Sequence, residues 1–196
     1  MSGSIGLKEG FDEPALASQR VFRALLRALS NPGHICTVDY LSRPPEEIGV
    51  AASAVALTLV DFETSLWISP DLRGSEVERW IKFHCGCPIT NVPATAVFAL
   101  AKTTFPALQA FNQGEAKYPD QSTTLILDLP SLREGEKVVL EGPGIDGRTT
   151  IYPSELPESF WAQWKGNAAD FQFGVDIFLC SGSELIGLPR TARIIE

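Results

Sequence analysis

His84, Cys85 and Cys87 stand together in the stretch Phe83-His84-Cys85-Gly86-Cys87-Pro88, which gathers one of two histidines and two of four cysteines. A structural zinc site draws four ligands from two pairs spaced so that both side chains of a pair reach one ion. Cys-x-Cys is tighter than that spacing and has no second pair, so no metal site is expected; only convergence with the distant Cys36 would supply further ligands. A redox centre prefers Cys-x-x-Cys at a helix N-terminus, where the dipole favours thiolate, whereas these thiols follow a helical pattern. Small apolar packing is the expected role of both.

Arg190, in Leu188-Pro189-Arg190-Thr191, can offer a planar fork to phosphate or carboxylate, or brace a buried loop. With His84 exchanging a proton near neutrality and Asp176 orienting it, Arg190 would complete a small-molecule or anion site. Gly142, Gly144 and Gly147 punctuate Gly142-Pro143-Gly144-Ile145-Asp146-Gly147, as turn geometry or as a loop whose backbone N–H groups approach an anion or a partner chain. There is no Gly-x-Ser-x-Gly elbow, no phosphate-binding loop, and no Gly-x-Gly-x-x-Gly at a strand-to-helix junction.

The elements that must position these residues begin with a helix in Phe11-to-Gly33, entered through Asp12 as cap and Pro14 in the first turn. Ala15, Phe22, Leu25, Leu26 and Leu29 should face the core, with Arg20, Arg23 and Arg27 as a basic outward stripe. A strand over His34–Tyr40 follows, then a helix over Gly49–Asp61 apolar on nearly all sides, and a short strand over Ser65–Ser69. The next helix, Ser75–Gly86, carries Ser75 and Glu78 in capping-box register, with Val77, Trp80, Ile81 and His84 on one face. Thr95–Ala101 and Thr123–Leu129 read as buried strands separated by a helix around Phe105–Gly114. Two extended segments flank the glycine-rich loop, a helix carries Phe160, Trp161 and Trp164, and a strand-turn-strand hairpin that can close one edge of a sheet ends the chain. Trp161 and Trp164 are candidates for an interface as well as for the core. This alternation predicts one α/β domain over residues 1–196, a mixed sheet covered by helices.

A net charge of −8 over 196 residues and a pI near 4.8 exclude general affinity for nucleic acid, so an anionic ligand would need a local site. The longest apolar run is too short for a membrane span and no leader pattern opens the chain, so a cytoplasmic protein without structural disulfides is expected.

The order of the unusual elements is informative. Asn31-Pro32-Gly33, Phe83-His84, Gly142-Pro143-Gly144-Ile145, Leu156-Pro157, Gly174-Val175-Asp176 and Pro189-Arg190-Thr191 follow one another as in the PhnH family of the bacterial carbon-phosphorus lyase system, which the chain resembles over nearly its whole length. The family often has threonine where this chain has Cys85, which implies that the thiols are dispensable. The resemblance implies a three-layer α/β/α fold similar to pyridoxal-phosphate-dependent transferases, but without the cofactor. Of the six lysines Lys102 is the least unsuited to a Schiff base, and no cofactor is expected. It implies a subunit without independent activity, working with PhnG, PhnI, PhnJ and PhnK in a transferase complex. That complex forms a ribose 1-phosphonate 5-triphosphate from a nucleoside triphosphate and a phosphonate. Purified alone, such a subunit is expected to form a homodimer that covers its apolar surface.

Overall fold

The least polar helix lies deepest. α1 (Pro14–Ser30) and α3 (Glu76–Cys85) flank α2 (Val50–Leu59), in which Ala51 to Ala56 are consecutively buried. A helix with no charged side chain needs cover on every side, and α2 finds it in its two neighbours and in the sheet beneath. This computed structural model describes residues 8–41 and 43–195; residues 1–7, on which the search for a leader falls, lie outside the described residues with Ser42 and Glu196.

The strands in chain order are β1 (Cys36–Thr37), β2 (Leu66–Ile68), β3 (Ile89–Thr90), β4 (Phe98–Ala101), β5 (Thr124–Asp128), β6 (Val138–Glu141), β7 (Thr149–Ile151), β8 (Asp176–Ser181), β9 (Glu184–Leu188) and β10 (Arg193–Ile194). Among the described residues seven form one sheet in the order β1-β9-β8-β5-β4-β2-β3, parallel from β8 through β3 and antiparallel where β9 meets β8 and β1. The central strands β5 and β8 are apolar runs because both their faces are covered. The helices α1 to α3 cover one face. On the other lie α4 (Phe160–Ala169) and a small antiparallel sheet, β10-β6-β7, giving a mixed three-layer α/β/α architecture.

Four expectations are corrected. α1 begins at Pro14 with Glu13 at the cap position and no side-chain cap bond, so Asp12 does not cap it. Its buried face is Ala17, Val21, Leu25 and Ala28, leaving Phe22 47% and Leu26 51% exposed. The cause is proximity: a Cβ added to Gly187 on β9 would stand 2.5 Å from the Ala28 carbonyl carbon, so small residues must face the sheet. Only a 3-10 turn, Leu108–Ala110, forms where a helix was expected. The Gln113 side chain takes the Leu108 and Phe111 carbonyls, competing with the helical hydrogen bonds they would otherwise accept. Finally, the β8-β9 hairpin does not end the sheet, because β1 pairs outside β9.

At α3 the Ser75 hydroxyl accepts the Val77 N–H at 3.1 Å and Gly86 closes the helix in the left-handed conformation. Glu78 reaches back one residue further than the usual capping box, to the Gly74 N–H at 2.7 Å. Among the described residues no helix is long and apolar enough to cross a membrane.

Candidate functional site

Asp176 and Arg190 are brought together, and His84 is elsewhere. The Arg190 guanidinium grips both Asp176 carboxylate oxygens through Nε at 3.2 Å and again through a terminal nitrogen. Its other donors reach the Pro119 and Gln172 carbonyls at 2.9 and 3.3 Å and the Ser122 hydroxyl, while its backbone N–H donates to Asp176 at 2.7 Å. The fork is fully occupied by the protein, so it braces the loop around Pro119–Ser122 against the ends of β8 and β9. His84 Nε2 faces the Lys8 carbonyl at 3.0 Å, beside the Trp80 indole N–H, which donates to the same oxygen at 2.9 Å. The three side chains therefore lie in two separate hydrogen-bond networks. Burial pushes the Cys85 thiol up to about 12 and raises Cys87, so neither is a ready thiolate at neutral pH.

The glycines serve close approach. A Cβ on Gly144 (φ +83°) would lie 2.1 Å from the Ser30 carbonyl oxygen, and one on Gly142 (φ +143°) 2.8 Å from that of Thr191. One loop thus joins the end of α1 to the Pro189-Arg190-Thr191 segment, and only glycine permits both contacts. Trp164 is fully buried, its indole N–H donating to the Ala192 carbonyl at 2.9 Å; Trp161 is half-buried.

In parallel α/β sheets ligand sites form beyond the carboxyl ends of the strands. That place holds a cleft of about 580 Å³ lined by Glu46, Glu47, Gly49, Asp71, Lys102, Thr103, Asp128, Glu155, Ser181 and Gly182. Asp128, at the end of β5, is 8% exposed and accepts the Gly49 N–H at 3.0 Å at the entrance of α2. Burial raises its pKa, partly offset by that hydrogen bond and by Lys102. A Cβ at Gly49 would press on Asp128 Oδ1 at 2.9 Å and on the Gly182 carbonyl oxygen at 3.0 Å, so glycine eases the close entry of α2. The Ala51 N–H donates to the Gly182 carbonyl at 2.7 Å, so the α2 N-terminus spends these donors on the protein itself. Glu47 accepts the first N–H of α3, from Glu76, at 3.3 Å, and its other oxygen is buried without a partner among the described residues. Five carboxylates face the single lysine, Lys102. Such a cleft favours cationic or donor-rich ligands and opposes phosphate. Asp128 escaped motif reasoning, although a lone carboxylate inside the apolar run Leu125-Ile126-Leu127-Asp128-Leu129 was its signal.

These features define a three-layer α/β/α domain with an acidic strand-end cleft, its peripheral loops locked by glycine contacts and one arginine fork. The chain belongs to the PhnH family of bacterial phosphonate metabolism proteins, whose pattern it matches over residues 9–195. It is 36% identical over 186 residues to a Rhizobium meliloti (strain 1021) protein named alpha-D-ribose 1-methylphosphonate 5-triphosphate synthase subunit PhnH, covering 94% of this chain and 93% of the relative. It is also 30% identical over 176 residues to a Stutzerimonas stutzeri protein named as a candidate C-P lyase subunit, HtxG, covering 90% and 85%.

Proposed function

We propose that this chain is a non-catalytic subunit of a carbon-phosphorus lyase core complex, forming one domain over residues 1–196. In that role it supports the formation of a ribose 1-phosphonate 5-triphosphate from a nucleoside triphosphate and a phosphonate. The observation that carries this reading is where the family elements are spent: Gly142, Gly144, Asp176 and Arg190 are consumed in contacts within the protein, and none lines the strand-end cleft. Its partners are the PhnG, PhnI, PhnJ and PhnK subunits, and alone it pairs as a homodimer. Exposed apolar side chains such as Phe22, Leu26, Phe62 and Phe83 support both associations.

The arrangement of pyridoxal-phosphate-dependent transferases without the cofactor belongs to the same reading. Lys102 does line the cleft, but the carboxylates around it and the filled α2 N-terminus do not suit the phosphate of that group. No chemical step is assigned to it. The reading is tested by incubating ATP and methylphosphonate with the purified chain and with the co-expressed subunits. Adenine release is expected from the assembly alone; release by this chain in isolation overturns the proposal.

A further inference from the structure

Among the described residues β1 is the last strand of the large sheet, and its register fixes which backbone groups point away from β9. Thr37 stands opposite Glu184, and the Val38 N–H donates to the Ser183 carbonyl at 2.7 Å. In an antiparallel ladder hydrogen-bonded and non-hydrogen-bonded pairs alternate, so Cys36 and Val38 point their backbone groups at β9 while those of Ile35 and Thr37 point outward. An edge presenting such groups is a template for another extended chain.

Beside this edge runs a groove of about 360 Å³ between α1 and the segment from His34 to Tyr40. Its α1 wall carries Arg20, Arg23 and Arg27. The ion pairs among the described residues involve Lys8, Lys82, Arg133 and Arg190, so none of these three guanidinium groups has a carboxylate within salt-bridge distance. Arg20 lies over the Tyr40 ring at 5.8 Å, toward an end where Asp12 and Glu13 line the neighbouring hollow. Arg23 and Arg27 are exposed, on successive turns of the helix. Three unneutralised arginines in one concavity of a protein of net charge −8 make it a local site of opposite sign.

We infer that this groove receives an extended acidic segment of a partner protein, added as a strand to β1 with its carboxylates paired to Arg23 and Arg27. The occupant follows from the two features together: the edge calls for backbone in extended form, and the arginine wall calls for carboxylates on the side chains. Side chains on one side of a strand recur every two residues, roughly 6.7 Å, close to the roughly 6 Å rise between Arg23 and Arg27 along the helix. A segment with glutamates at alternate positions therefore satisfies both walls. The inference deepens the subunit reading by naming the docking surface and the chemistry of the partner, and it rests on that reading.

The test uses the full chain and a fluorescent Glu-Val-Glu-Val-Glu peptide, with Lys-Val-Lys-Val-Lys and tripolyphosphate as comparison ligands. The double variant Arg23→Glu, Arg27→Glu should lower affinity for the acidic peptide at least tenfold. Thr37→Pro, which removes the outward N–H and leaves the bonds of Cys36 and Val38 to β9, should lower it about tenfold with the circular dichroism spectrum unchanged. Loss with the arginine variant but not with Thr37→Pro would reduce the groove to a charge patch and overturn the strand addition. Tight binding of tripolyphosphate without binding of the acidic peptide would overturn it in favour of a small polyanion. In the co-expressed assembly, the arginine variant should fail to join the other subunits. If it joins as well as the unaltered chain, the groove is not the docking surface and the subunit reading survives; if the unaltered chain does not join, it is the subunit reading that fails.

Discussion

Asp128 shows how one buried carboxylate can organise a helix entrance at some cost in stability. Its pKa is raised by burial, so between the ordinary aspartate value of 3.8 and the raised one the folded state holds a proton that the unfolded state has released. Stability must then fall as pH rises through that window and level off above it. Asp128→Asn keeps an oxygen for the Gly49 N–H and removes the charge. It should abolish this dependence and be as stable as the parent, or more so, at neutral pH. Asp128→Ala leaves the N–H unpaired and should cost about 1 to 3 kcal/mol. Urea denaturation of parent and variants from pH 4 to 7 checks both; a stability of the parent relative to Asp128→Asn that rises with pH through the window would contradict the assignment. At this scale the sequence was half legible. Arg190 appeared as either an anion fork or a brace, and only its partners Pro119, Ser122, Gln172 and Asp176 decide for the brace. Residue types do not reveal whether a donor is already spent.

Among the elements, the glycine loop between β6 and β7 makes the sharpest contrast. Gly144→Ala would force a Cβ onto the Ser30 carbonyl oxygen, and Gly147→Ala, also at positive φ (+70°), would meet nothing within 4 Å. The second change should cost about 1 kcal/mol from backbone strain alone. The first should cost about 3 kcal/mol or more, or prevent folding, because backbone must move from backbone. Equal thermal stabilities of the two variants would remove Gly144 as the lock between α1 and the small sheet. Arg190→Lys should destabilise by about 3 kcal/mol, since an ammonium cannot span Asp176, Ser122 and two carbonyls at once; unchanged urea denaturation would show that the brace is not needed. Elements with strong periodicity or caps, such as α2 and α3, were legible in outline. The buried face of α1 was not, because hydrophobicity ranks Phe22 above Ala28, whereas the close approach of Gly187 on β9 selects the smaller residue. The three-stranded β10-β6-β7 sheet was partly legible: the β6–β7 pair shows as two extended segments, but β10 pairs with β6 from about fifty residues further along, and local pattern does not encode that partner.

For the whole molecule, charge is segregated. The strand-end cleft is acidic, while arginines without a carboxylate partner among the described residues gather on α1 beside the β1 edge of the sheet. The resemblance visible in the sequence extends over residues 9–195 in the family match. On the proposed reading the chain works by assembly. The most direct measurement is the native mass of whatever co-purifies when it is expressed with PhnG, PhnI and PhnJ from the same organism. One stoichiometric complex containing this chain is expected. A complex of the other three that forms and stays intact without it would show that assembly does not need this chain.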